Sequence, residues 1–234
     1  VPYNVEVVYR WNQGDVSSDD MRKNLVPPRE SQVEPFLEMI EKVWVDTYTA
    51  EVGQQTLRSY IPKQILLVGS ASYNDDGSTT EGTAEGGRQI VLYSVNDFNF
   101  ELEQIQSYAH VMHHEFAHIL HQNVEYDAEF EKITPSYSSS WMQMNDETAR
   151  SKGFITAYAS SSADEDFAEM VSIMLTNSPE DWDNMIENAG NAAAVEALRK
   201  KEAIVVAYMK NNWGVNMKDF QKEVVAAIEA AVRN

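Results

Sequence analysis

The sequence predicts an α+β fold within a single domain, residues 1–234: a mixed α/β N-terminal lobe, about residues 1–122, followed by a mostly helical C-terminal lobe, about residues 123–234. Three observations carry this expectation. Strand-like alternation recurs in the first third, in "VEVVYRW", "QILLVGSASY" and "RQIVLYSV". Helical spacing governs most of the chain after Asn99. The chain has 234 residues, 43% hydrophobic and 24% charged, as expected of a globular protein able to bury a full core.

Taken in order, "VEVVYRW" reads as a first strand, "VPPRE" breaks it, and "VEPFLEMIEKVWVDTYTAEV" carries the apolar repeat of a helix. The two later strands flank "NDDGSTTEGTAEGG", whose Gly, Asn and Asp content predicts a long polar hairpin loop, with the strands paired across it. That loop is no EF-hand. With Gly77 at the sixth position, Ser72 would stand first and Thr83 twelfth, so the ligand pattern fails at both ends. From Asn99 to about Gln122 a long helix is expected, with Asn99 as N-cap and Glu101 and Glu103 in the first turn. The segment from Asn123 to Thr156 is polar and reads as irregular, a loop overhanging a site. Helices then follow at "SSADEDFAEMVSIML" and at "SPEDWDNMIENA", where Ser178 caps and Pro179 opens the helix. Two more fill the C-terminus.

The formal charge of -19, from 37 acidic and 18 basic residues, sets phosphate-rich partners aside, so nucleic acid is not expected. There is no cysteine, which removes thiolate nucleophiles, disulfides and cysteine metal sites together. Any metal must therefore use histidine and carboxylate. No apolar run approaches the ~18 residues of a membrane span, and "VPYNVEVVYRWN" reads as a strand rather than a signal peptide.

All five histidines fall in one stretch, "HVMHHEFAHILHQ". At about 100° per residue, His110, His114, His118 and His121 lie within an arc of roughly 80°, while Ile105, Met112, Phe116 and Ile119 occupy another face. His113 alone lies off the imidazole face and is expected at the surface or the edge of the core. In "HEFAH", His114 and His118 stand one turn apart, about 6 Å along the axis, so both imidazoles can reach one tetrahedral ion at about 2.1 Å. Glu115 can then take a proton from water acidified by the metal, which is the H-E-x-x-H zinc pattern. His110 and His114 share the same spacing, but Val111 follows His110 and cannot serve as a base. His110 and His121 are accordingly assigned to the rim or to supporting the ligands.

A catalytic zinc site needs a third protein ligand. The H-E-x-x-H-x-x-G-x-x-H pattern fails, because His121 and Val124 stand where Gly and His are required. A carboxylate from a later helix remains, and "DEDFAEM" offers Glu165 as ligand with Glu169, four residues on, steadying a ligand histidine through its second ring nitrogen. Ser162 with Glu165 also fits a capping box that would occupy Glu165. Ser161 with Asp164 fits equally and leaves it available.

With these residues in place, the chain resembles a gluzincin, a zincin-like metallopeptidase with two helix histidines and a later glutamate. More narrowly, "YASSSADEDFAEM" is similar to the catalytic domain of anthrax lethal factor, where a tyrosine precedes the glutamate ligand by the interval from Tyr158 to Glu165. That resemblance implies Glu165 as third ligand, Glu169 as its supporting partner and Tyr158 as a hydroxyl donor to the oxyanion. Over the whole length, "PYNVEVVYRWN", "VPP" and "HHEFAHILHQ" resemble the zinc-binding metallopeptidase lipoproteins of Bacteroidetes, associated with TonB-dependent nutrient import. The likeness implies an extracytoplasmic setting, in the periplasm or as an outer-membrane lipoprotein, and a nutrient-import complex as partner. Without a lipobox cysteine, the chain reads as a mature or trimmed form.

The expectation is a zinc-dependent hydrolase, a peptidase acting on peptides or glycoproteins, with one Zn2+ per chain held by His114, His118 and Glu165, with Glu115 as general base and Tyr158 as oxyanion donor. By analogy with zincins, "GGRQIVLYSV" is the candidate edge strand that aligns substrate. Two other readings fit the same residues: a zinc-binding accessory protein of an import complex that cleaves nothing, and a zinc hydrolase of a glycoconjugate amide or ester.

Overall fold

The computed structural model describes residues 3–12, 23–73, 79–80, 82–85 and 89–233. The fold is mixed α/β, as the sequence predicts, and divides into two compact units. One comprises residues Val1–Glu115 and Ala227–Asn234, the other Phe116–Ala226.

The first unit is built on a four-stranded sheet in the order β1-β2-β6-β5, from β1 (Glu6–Val8), β2 (Gln64–Leu67), β5 (Gly82–Glu85) and β6 (Gln89–Leu92). A separate antiparallel pair joins β3 (Ser72–Tyr73) to β4 (Thr79–Thr80). The strands predicted to flank a hairpin loop do pair, but β2 and β6 run parallel, with Ile65 opposite Ile90 and Leu66 opposite Val91. The hairpin partner of β6 is β5, formed from within the stretch read as loop. Residues 74–78, 81 and 86–88 of that stretch, which include Gly77, lie outside the described residues. β6 is therefore an interior strand, and among the described residues β1 and β5 form the edges, contrary to the expectation for "GGRQIVLYSV". Near-continuous apolar sequence in β2 and β6 fits burial on both faces. Leu66, Val68, Val91 and Tyr93 pack with Trp11, whose indole N–H donates to the Leu67 carbonyl at 2.8 Å.

The helix expected from Val33 is longer and interrupted. α1 (Glu30–Ile40) runs through a π turn at residues 41–45 into α2 (Asp46–Val52), and α3 (Gln54–Tyr60) follows. In the π turn the Asp46 N–H reaches back to the Glu41 carbonyl, one residue further than an α-helical bond. Phe36 makes edge-to-face contacts with Phe98 and with Tyr108 on α4 (Leu102–Asn123). The predicted helix of "HVMHHEFAHILHQ" is thus observed, but it begins at Leu102. Asn99 instead accepts from the Glu101 N–H two residues on, a turn of its own, while its N–H donates to the Gln104 side chain. Gly82 on β5 lies directly under α4, where a Cβ would collide with Val111 Cγ1.

The second unit is helical. Residues 123–156 are more ordered than their polarity suggests, with α5 (Glu129–Ile133), a 3₁₀ turn at residues 141–143 and α6 (Asp146–Ser151). α7 (Ala163–Thr176), α8 (Pro179–Glu187), α9 (Ala192–Trp213) and α10 (Met217–Ala231) complete the chain, with the last residues of α10 in the first unit. The starts of α6, α7, α8 and α9 are each fixed by a side-chain cap: Asn145, Ser162, Ser178 and Asn191 accept from the backbone N–H groups of Thr148, Glu165, Asp181 and Ala194. Gly214, at φ 73°, closes α9 in the left-handed region that favours glycine. Phe167 anchors this core, with Tyr126 stacked on it at 4.4 Å and Phe130 and Tyr208 against its edges.

Candidate metal centre

Among the described residues, two groups of histidine and carboxylate have ligand atoms that all lie within 4.8 Å of one another. One is His114, His118 and Glu165, the set expected from the sequence; the other is His110, His114 and Glu169. The first draws two donors from α4 and one from the opening turn of α7. His118 Nε2 lies 3.2 Å from Glu165 Oε2. Two ligand atoms at about 2.1 Å in a tetrahedral site stand about 3.4 Å apart, so this pair has the separation of ligands sharing one zinc ion. The donor chemistry, imidazole and carboxylate without thiolate, suits zinc as well.

The N-terminus of α7 resolves the competition over capping. Ser162 is the cap, not Ser161, and its Oγ accepts from the Glu165 backbone N–H at 3.2 Å. The cap uses the amide of Glu165 and leaves its carboxylate facing His118, so capping and ligation are compatible after all.

Asp164 does other work. It accepts from the Tyr126 hydroxyl at 2.7 Å and approaches His121 Nδ1 at 4.0 Å, while His121 Nε2 lies 2.9 Å from His118 Nδ1. These contacts form a chain leading away from His118. If its Nε2 faces a metal, its Nδ1–H must donate to His121, whose own Nδ1–H then points toward Asp164. Burial, and then the Asp164 carboxylate, push the Tyr126 phenol well above its ordinary range, so Tyr126 acts as a proton donor to Asp164.

Glu169 is buried and accepts from the Thr156 hydroxyl at 2.6 Å, within the group that includes His114. His110 is partly exposed, with its ring 5.8 Å from that of His114. Glu115 is partly exposed. Tyr158 opens a 3₁₀ turn at residues 158–160, 36% exposed, with its ring 4.9 Å from Trp141.

His113 departs from expectation. It is fully buried, and its Nε2 hydrogen-bonds the Val43 carbonyl of the π turn at 3.2 Å. Burial, opposed by that hydrogen bond and aided by nearby His110, lowers its pKa to about 3. Sequence reading also missed Thr156, Asp164 as a partner of Tyr126, and Tyr126 itself. Only Asp164 left a trace, as a capping candidate.

Fold and donor groups together define the class, a mixed α/β metallopeptidase-like protein with histidine–carboxylate sets able to hold a metal. The chain belongs to the family described as "Putative zinc-binding metallo-peptidase", whose profile matches residues 1–218. It is similar to a "putative zinc-binding metallo-peptidase" from Bacteroides caccae ATCC 43185, known from a crystal structure, at 33% identity and a TM-score of 0.83, covering 98% of this chain and 88% of that one. No curated protein sequence matches it. No helix among the described residues is long and apolar enough to cross a membrane.

Proposed function

We propose that this chain is a zinc-dependent peptidase in which His114, His118 and Glu165 hold one zinc ion. The approach of Glu165 Oε2 to His118 Nε2 carries the reading, because it brings a carboxylate 47 residues away in sequence onto the ligand face of the H-E-x-x-H helix. Zinc, when bound, acidifies water and polarises the carbonyl under attack. Glu115 accepts the proton of the attacking water and returns it to the leaving amine. Tyr158 donates its phenolic hydroxyl to the oxygen on which negative charge develops, and its partial exposure supports access to substrate. His121 holds the Nδ1 proton of His118, and Glu169, fixed by Thr156, does the same service for His114. Aligning an extended peptide falls to β5, the edge strand next to β6 in the described sheet, rather than to β6 itself.

The test is cleavage profiling with a peptide library alongside a deacetylation assay, each run on wild type and Glu115→Gln. Peptide hydrolysis that falls by several orders of magnitude in Glu115→Gln, with zinc retained, is the expected result. Undiminished cleavage by the variant would remove Glu115 from the mechanism, and deacetylation without peptide cleavage would redirect the substrate to glycoconjugates.

A further inference from the structure

One residue beyond Glu165, in the helical unit, Asp166 enters a buried ion pair that this mechanism does not use. Lys201 on α9 and Asp166 on α7 are both fully excluded from solvent. Lys201 Nζ donates to Asp166 Oδ2 at 2.5 Å and to the Gly153 carbonyl at 2.8 Å, and lies 4.3 Å from the centre of the Phe154 ring. Asp166 Oδ2 also accepts from the Tyr137 hydroxyl at 3.0 Å. Dehydrating two charges is expensive, and well-packed apolar side chains commonly stabilise such a place equally or better. What apolar residues lack is direction.

The direction is informative here. Four segments meet at the pair: α9, α7, the loop at Gly153 and the stretch holding Tyr137. Asp166 immediately follows Glu165 and points about 100° away from it around the helix. From Gly153 the loop runs to Thr156, whose hydroxyl donates to Glu169 on α7, and on to Tyr158. The loop is thus fastened to α7 twice, through Lys201 to Asp166 and through Thr156 to Glu169.

We propose that the Lys201–Asp166 pair is a positioning element for the metal centre: it fixes the rotation of α7 and the course of the Gly153–Tyr158 loop, so that Glu165 meets His118 and Tyr158 is held at its station. This rests on Glu165 being a zinc ligand. Neither Lys201 nor Asp166 belongs to either histidine–carboxylate group among the described residues.

The experiment compares wild type, Glu165→Ala and the double variant Asp166→Leu/Lys201→Met, which removes both charges so that neither is stranded. Zinc affinity is read by chelator competition, and ligand geometry by the visible spectrum of the Co2+-loaded protein. The double variant is expected to fold, bind zinc about 10- to 100-fold more weakly and give an altered cobalt spectrum. Wild-type affinity and an unchanged spectrum in the folded double variant overturn the proposal. If that variant does not fold, Tyr137→Phe, which removes one hydroxyl from Asp166, carries the test: a loss of about two- to tenfold supports it, and no change refutes it. Wild-type zinc affinity in Glu165→Ala would instead defeat the ligand assignment beneath it.

Discussion

His118 shows how much a single side chain carries. One ring nitrogen faces Glu165 and the other faces His121, so its tautomer is set from behind by a neighbour one turn along. His121→Ala should therefore keep the fold and weaken zinc by about 10- to 100-fold, and His118→Ala should abolish stoichiometric binding. Chelator competition measures both, and an unweakened His121→Ala would mean that its contact with His118 is incidental. The proposed ligand pair was legible because the H-E-x-x-H spacing is local: helix geometry alone puts His114 and His118 on one face. Glu165 was legible through its place at the head of a later helix. Lys201 was not. In "LRKKEA" it looks like one of several solvated cations, and only the fold brings it to Asp166, 35 residues earlier.

At the scale of elements, α4 is fixed by features far from it in sequence. His113 reaches the Val43 carbonyl, which also accepts from Thr47, and that acceptor belongs to a π turn. No periodicity of α4 could have placed His113 in the core, since the burying surface comes from a helix 70 residues away. The pH consequence has a definite sign. Folded His113 titrates at about 3, whereas an unfolded histidine titrates near 6.5, so the unfolded chain takes up this proton first as pH falls. The contribution of His113 is intact above pH ~6.5 and is lost below it, by at most about 1.4 kcal/mol per pH unit until the folded group titrates. Urea unfolding of metal-free protein between pH 7 and 5 should show this slope, and His113→Gln should lack it; equal slopes would assign the proton elsewhere. On α7, Ser162→Ala should cost about 1 kcal/mol in the same assay, through loss of the bond to the Glu165 N–H. β5 marks the opposite limit of legibility. A Gly- and Thr-rich stretch reads as loop until α4 is laid across Gly82, where Gly82→Val should destabilise by about 1–3 kcal/mol because Val111 occupies the space.

For the molecule as a whole, the class of fold was readable from strand alternation giving way to helical spacing, but the strand order was not. Local rules favour a hairpin between neighbouring strands, and β5 takes that place, leaving β2 to pair in parallel on the other side of β6. Ordered helices also form where residues 123–156 seemed irregular, because Phe130 and Ala149 find buried places that polar neighbours obscure. Zinc binding to the folded chain alone should raise the thermal midpoint, by the equivalent of about 2.7 kcal/mol at free zinc 100-fold above Kd, and this gain should vanish in His118→Ala. An equal gain in that variant would place the ion elsewhere. The most direct measurement is anomalous diffraction at the zinc edge from crystals of the zinc-loaded protein. The account predicts one strong peak per chain, within bonding distance of His114, His118 and Glu165. A peak among His110, His114 and Glu169, or one remote from Glu165, would contradict it.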